Sequence, residues 1–256
     1  MTSVPGAGEQ TSGPGRFAIL LSAYSLIGLP MNILIFGATG MVGQGVLRES
    51  LLAVDVDKVV AVGRSPSGVT HPKLTDLLLP DLMQYGAVEA QLQGFDACFF
   101  SLGVSSAGMS EAQYSALSYD LTMQAARVLA RLNPQMTFIY VSGAGTDSSE
   151  RGSSMWARVK GRTENALQTL GFKAVYLFRP GVIQPLHGIR SKTGSYRVFY
   201  SLFKPLLPLL RALLPKHILT TESVGLAMLQ AARHGAPQPV LETADIYQLA
   251  RKAAHA

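Results

Sequence analysis

The 256-residue sequence predicts an α/β fold, a doubly wound parallel sheet with a small C-terminal helical cap. Three observations carry that prediction. From Met31 onward, short apolar runs alternate with segments of helical periodicity. The first run, Ile33 to Phe36, opens into Gly37, Gly40 and Gly43 at G-x-x-G-x-x-G spacing, and apolar residues resume at Val46 and Leu47. The composition is 48% hydrophobic and 15% charged, which suits a sheet buried on both faces and excludes global disorder.

Residues 1–16 are rich in Gly, Pro, Ser and Thr and read as a flexible tail. Residues 17–30 are apolar, and no charge occurs between Arg16 and Arg48. The apolar run before Pro30 is short for a bilayer span of roughly 20 residues. Three readings stay open for this extension: a reading-frame extension or floppy tail ahead of Met31, a helix docked on the fold or a membrane surface, and a signal or anchor. The remainder, 31–256, reads as one dinucleotide-binding domain.

After the glycine turn, the first helix continues through Val46 to Ala53, and the second strand is Lys58 to Arg64. A third strand is expected at Leu74 to Leu79, a helix at Ala87 to Leu92, and a fourth strand at Ala97 to Leu102. A long helix is expected over Ser110 to Leu132, with Ser110 and Gln113 placed as a capping box. The fifth strand is Met136 to Val141. The next helix is Met155 to Leu170, with Gly171 as its stop, and the sixth strand is Lys173 to Phe178. Residues 185–219 break the pattern with Pro185, Pro205, Pro208 and Pro215 around an apolar stretch, 198–214. They read as a helical cap over the substrate, the alternative being a surface that meets a protein partner or a membrane. A helix at Thr220 to Arg233 and a short strand with a tail helix from Val240 complete the chain.

In such a sheet, ligands bind beyond the carboxyl ends of the strands, so the strand exits outline the site. The glycine turn supplies Gly37, Thr39, Gly40, Met41, Val42 and Gly43, where backbone N–H groups at a helix start can meet a pyrophosphate. The second exit, Gly63-Arg64-Ser65, lacks the acidic residue that would bind the ribose 2′-OH of NAD. Arg64 and Ser65 suit a 2′-phosphate, so NADP is expected over NAD. Asp81 and Leu82 are placed at the adenine edge. Ser101, Leu102 and Gly103 line the path between the halves, and Ser142 follows on the fifth strand. Pro180 and Val182 are placed to meet the nicotinamide.

The charge is +6 and the sequence pI about 9.5, but the basic residues are scattered, which argues against a nucleic-acid partner. The five His residues and the single Cys98 form no cluster with metal-ligand spacing, so no metal is expected. Cys98 cannot form an intramolecular disulfide and reads as a small buried hydrophobe. A cytoplasmic protein is expected, with membrane association through residues 17–30 as the alternative. Oligomeric state is not legible.

The motifs GATGMVG at 37–43, Val62-Gly63-Arg64, Val141-Ser142-Gly143-Ala144, Val159-Lys160-Gly161 with Glu164, and Arg179-Pro180-Gly181-Val182 resemble the short-chain dehydrogenase/reductase superfamily. The chain is similar to its atypical members, closest to the NAD(P)-binding, Tat-interacting-protein-like oxidoreductases, over about residues 31–235. The resemblance implies a Rossmann fold and a Ser that positions the substrate carbonyl. It also implies a Tyr that transfers the proton, and a Lys four residues later that holds the nicotinamide ribose. Ser142 and Lys160 match the Ser and the Lys and are the candidate catalytic residues, while Trp156 occupies the Tyr position. An indole N–H has no acid/base equilibrium near neutral pH. Three functions remain open: reduction of an apolar carbonyl compound with a displaced acid (Tyr119, Tyr196, Tyr114 or His187), reduction with water or Lys160 as proton source, or NADP binding without turnover in a regulator or assembly factor.

Overall fold

The computed structural model describes residues 30–189 and 216–253. The expectations for residues 1–29, and for residues 190–215 of the cap segment with its apolar stretch 198–214, lie outside the described residues. In chain order the elements are β1 (Met31–Phe36), α1 (Met41–Leu52), β2 (Val56–Gly63), β3 (Leu74–Leu78) and β4 (Ala97–Phe100). Next come α2 (Glu111–Ser115), α3 (Leu121–Leu132), β5 (Thr137–Val141), α4 (Met155–Leu167) and β6 (Ala174–Arg179). The described chain ends with β7 (Val182–Gln184), β8 (Ile218–Thr220), α5 (Thr221–His234), β9 (Val240–Glu242) and α6 (Thr243–Ala253).

Seven strands pair in the order β3-β2-β1-β4-β5-β6-β9, every pair parallel. This is a Rossmann fold, and its strand order reverses between β1 and β4. β7 and β8 form a separate parallel pair that brings the two ends of the 185–219 segment together. Alternation along each strand splits the core. Ile33, Ile35 and Phe99 pack with α1, α5 and α6, while Leu34, Phe36 and Phe100 pack with α3 and α4. On the second face an aromatic row crosses the sheet: Phe36 stacks on Phe100 at 5.1 Å, and Phe100 stacks on Phe138 at 5.8 Å.

Most element boundaries fall within a residue or two of the expected ones. Four elements differ from expectation. The expected single helix from Ser110 begins with the anticipated capping box to Gln113, but residues 116–120 form a π turn between α2 and α3. Within it Tyr119 is drawn under the Arg162 guanidinium, 4.4 Å from its ring centroid, which is a contact made by fold rather than by periodicity. α4 ends at Leu167 with Gln168 as its cap, ahead of Gly171. β4 stops at Phe100 because both the amide and hydroxyl of Ser101 donate to the Phe36 carbonyl, each at 2.9 Å, turning the chain under the glycine loop. The segment expected as a helix at Ala87 to Leu92 is a 3-10 turn over Gly86–Leu92.

The glycine turn is fixed by backbone contact. Gly37 has φ of 85°, and a Cβ there would stand 2.8 Å from the Leu102 nitrogen. A Cβ on Gly43 would stand 2.0 Å from the Gly37 carbonyl oxygen. The neighbour is backbone in both cases and cannot rotate away. Gly43→Ala is therefore expected to cost about 3 kcal/mol, a fall of ~6–12 °C in Tm, measurable by thermal unfolding. An unchanged Tm would mean that the turn has room that this packing denies it.

Candidate dinucleotide site

A cleft of about 620 Å³ opens over the carboxyl ends of the strands where the strand order reverses. Its floor is the glycine turn and the start of α1: Gly37, Ala38, Thr39, Gly40, Met41 and Val42. Gly40 caps α1 without a side-chain acceptor, and the first turn holds no acidic residue. The helix start thus presents backbone N–H groups and positive dipole to the cleft, the requirement for a pyrophosphate.

On the β2 side the wall is formed by Gly63, Arg64, Ser65, Ser67 and Leu82. Arg64 and Ser65 are exposed, and Arg64 has no ion-pair partner among the described residues. The nearby Asp76 carboxylate is committed to the amide and hydroxyl of Ser67, at 3.0 and 3.1 Å. On the β4–β6 side the wall is Ser101, Leu102, Gly103, Val104, Ser142, Gly143, Pro180 and Ile183.

Four residues expected to touch the cofactor stand off this surface. Gly43 lies beneath the turn it closes. Asp81 faces its own loop, accepting from the Met83 amide and Gln84 Nε2, each at 2.9 Å, so Leu82 alone of that pair reaches the cleft. Val182 is exposed on β7 while its neighbour Ile183 turns in, as strand alternation requires. Lys160 is buried behind the Gly103 wall, with Nζ 3.8 Å from where a Gly103 Cβ would be.

Behind the β5 end, two side-chain pairs join β5 to α4. Lys160 Nζ donates to Tyr140 Oη at 2.9 Å and lies 4.8 Å from the ring centroid. Burial pulls the Lys160 ammonium below its ordinary range and pushes the Tyr140 phenol up. Ser142 Oγ donates to Glu164 Oε1 at 2.5 Å. Glu164 is fully buried and receives Arg179 through Nε at 3.1 Å and through Nη2. Arg179 also reaches Ser148 Oγ at 2.5 Å and Glu242 Oε1 at 3.2 Å, and its bonds to Glu164 hold it firmly charged.

Tyr140 reads from sequence as a core residue, which misses its polar end. The signal was present: Tyr140 and Ser142 share a face of β5 at i, i+2, and Lys160 and Glu164 share a face of α4 at i, i+4. Trp156 does not enter the cleft. Its ring tip packs 3.7 Å from where a Gly145 Cβ would stand. Of the displaced-acid candidates, Tyr119 lies under Arg162 and His187 Nε2 pairs with Glu222 at 2.6 Å. Tyr114 is buried, close enough to Lys160 to favour its charge, and Tyr196 lies outside the described residues. Among the described residues no three His, Cys, Asp or Glu side chains are grouped to hold a metal, and no helix is long and apolar enough to cross a membrane.

Residues 37–184 match a family model described as NAD(P)H-binding. Among curated proteins, the chain is 28% identical over 159 residues to the protein fmp52, mitochondrial, of Emericella nidulans, covering 59% of this chain and 66% of that one. It is 30% identical over 167 residues to the protein FMP52, mitochondrial, of Saccharomyces cerevisiae, covering 64% and 69%. The match thus spans about two thirds of these relatives' length. Their names overturn the expectation of a cytoplasmic protein. Among solved structures, the Bordetella bronchiseptica enzyme WbmF in complex with NAD+ superposes with a TM-score of 0.61 at 16% identity, covering 89% of this chain and 78% of that one. WbmG of the same organism, in complex with NAD, gives 0.63 at 13%, covering 90% and 80%. These structures share the fold.

The buried lysine makes stability depend on pH. Its folded value lies below the ordinary 10.5, so the unfolded chain binds the extra proton between the two values, and stability rises with pH there. Lys160→Met removes the burial cost of the ammonium. The variant's stability relative to wild type is expected to rise above its own high-pH value as pH falls toward 7, the gain fading as pH approaches 10.5. Paired thermal melts of wild type and variant across that range measure it, and a gain that grows with pH would contradict the sign.

Proposed function

The chain belongs to the NAD(P)H-binding family, and from that premise we propose that it acts as an atypical short-chain dehydrogenase/reductase, binding NADP(H) and transferring hydride to a small apolar carbonyl compound. The observation that carries the cofactor assignment is the β2 exit. Arg64 stands exposed on the cleft wall beside Ser65, and the Asp76 carboxylate is committed to Ser67 on the same wall. A guanidinium without a partner among the described residues and a hydroxyl suit the 2′-phosphate, and they offer nothing to bind a free ribose 2′-OH through a carboxylate.

In this reading the pyrophosphate rests on the start of α1, the 2′-phosphate meets Arg64 and Ser65, and the nicotinamide end lies toward Ser142, Pro180 and Ile183. The bound dinucleotide supplies the hydride. The chain's own residues orient it, and Lys160 lends positive charge through the Gly103 wall to the ribose side of the cleft. The apolar character assigned to the substrate rests on the sequence of 198–214.

A second reading has its own observation. Among the described residues, the cleft surface carries no phenol, imidazole, thiol or carboxylate. A reductase without a positioned acid loses roughly 10²–10⁴ in rate. The chain would then be an NADP-binding regulator or assembly factor, with a protein partner meeting the 185–219 segment.

Isothermal titration separates the cofactors. NADP+ is expected to bind about tenfold or more tightly than NAD+, and Arg64→Ala to remove most of that preference, since a charge-assisted contact contributes about 1.5–3 kcal/mol. Equal affinities in the wild type would defeat the Arg64 argument. For turnover, NADPH oxidation across a panel of apolar ketones and aldehydes is the readout. Activity lost in Ser142→Ala supports the enzyme. Activity absent in the wild type but present in Trp156→Tyr supports the regulator.

A further inference from the structure

Ser142 is the only described cleft residue whose hydroxyl is held by a fully buried carboxylate. Its Oγ–H is directed at Glu164 Oε1, 2.5 Å away, with the Phe178 carbonyl at 3.2 Å as the other acceptor on the same inner side. Glu164 is completely buried, and both of its oxygens accept from Arg179. A carboxylate paired with a guanidinium in this two-point geometry offers Ser142 an acceptor and no donor.

A serine has one hydrogen to donate and two lone pairs. With the hydrogen committed inward, the part of Ser142 that faces the cleft is a lone pair. Resting on the dinucleotide reading above, we infer that Ser142 is a hydrogen-bond acceptor toward the ligand, and that Glu164 is the positioning residue that makes it one. The group it binds is an N–H or O–H donor: the carboxamide of the nicotinamide, or the hydroxyl of an alcohol that is the reduced partner of the carbonyl compound. Ser142 in this state does not polarise a carbonyl oxygen.

The inward network is built for this polarity. Arg179 is tied on its far side to Ser148 Oγ and Glu242, so it cannot swing away to release Glu164. The Lys160 ammonium donates to Tyr140, and among the described residues it makes no bond to the Ser142 oxygen.

Two ligand pairs test this, each differing in donor capacity at constant shape. The first is NADP+ against its 3-acetylpyridine analogue, which replaces the amide NH2 by a methyl group. The second is cyclohexanol against cyclohexanone, titrated into the protein saturated with NADP+ and with NADPH. The wild type is expected to favour the donor member of one pair by about fivefold. Preference in the first pair identifies the carboxamide, and preference in the second identifies an alcohol. Ser142→Ala is expected to bring that ratio to one, and Ser142→Thr, which keeps the hydroxyl, to restore it.

Glu164→Gln places an amide able to donate opposite Ser142 and frees the serine hydrogen for the cleft. Its expected effect is loss or inversion of the ratio, whereas a merely structural role would lower Tm and leave the ratio unchanged. A wild-type preference for the ketone or the acetyl analogue, abolished by Ser142→Ala, overturns the inference and makes Ser142 a donor. Ratios unmoved by Ser142→Ala, in a protein that still binds NADP+, overturn it alone. A wild type that binds neither NADP+ nor NAD+ overturns the dinucleotide reading and this inference together.

Discussion

The close backbone approach at the glycine turn governs this molecule. β1, α1 and the exit of β4 meet at one point, with Gly43 against the Gly37 carbonyl and Gly37 against the Leu102 amide. No side chain fits between them. That contact fixes how far α1 stands from the sheet, and so where its N-terminal N–H groups point. It also ends β4 early, because Ser101 turns to bond Phe36. The cleft is the space left over when three backbones converge and the strand order reverses beside them.

The sequence makes this half of the protein legible because the constraint acts on residue type. Only glycine satisfies it, so the spacing 37-40-43 announces the turn, and the apolar run before it announces the buried strand. The sheet order follows from short alternating units and right-handed crossovers. What escaped was set by tertiary contact. The π turn over 116–120 carries Tyr119 to the Arg162 guanidinium, a tertiary contact that no local period reports. Asp81 reads as an adenine contact by its place at a strand exit, yet its carboxylate closes its own loop. Tyr140 was hidden by its neighbours, because an aromatic residue in the strand Thr137–Val141 looks like packing until its partner on α4 is known.

The second organising interaction is the buried network of Ser142, Glu164 and Arg179, with Ser148 and Glu242 at its edge. An ion pair this deep is weak evidence for stability, since desolvation offsets most of its Coulomb gain. Its consequence is orientation. It ties the ends of β5, β6 and β9 to α4 at the lip of the cleft, and it decides which way a cleft hydroxyl points. Lys160 and Tyr140 satisfy each other on the same face of β5, one alternation back from the lip, so charge is held near the site without being exposed to it.

Nucleotide recognition and proton transfer are therefore separable in this chain. Recognition needs backbone N–H groups, a guanidinium and a shaped floor, and the glycine turn with the β2 exit presents these on the cleft surface. Proton transfer needs a group of suitable pKa within hydrogen-bond reach of the reacting oxygen. At the position where the superfamily resemblance implies a tyrosine, Trp156 packs its ring against Gly145 rather than into the cleft. The lysine behind the wall is already bonded, and the serine has given its proton inward. A cleft so arranged carries the groups that recognise a dinucleotide on its surface and keeps its titratable side chains bonded behind it.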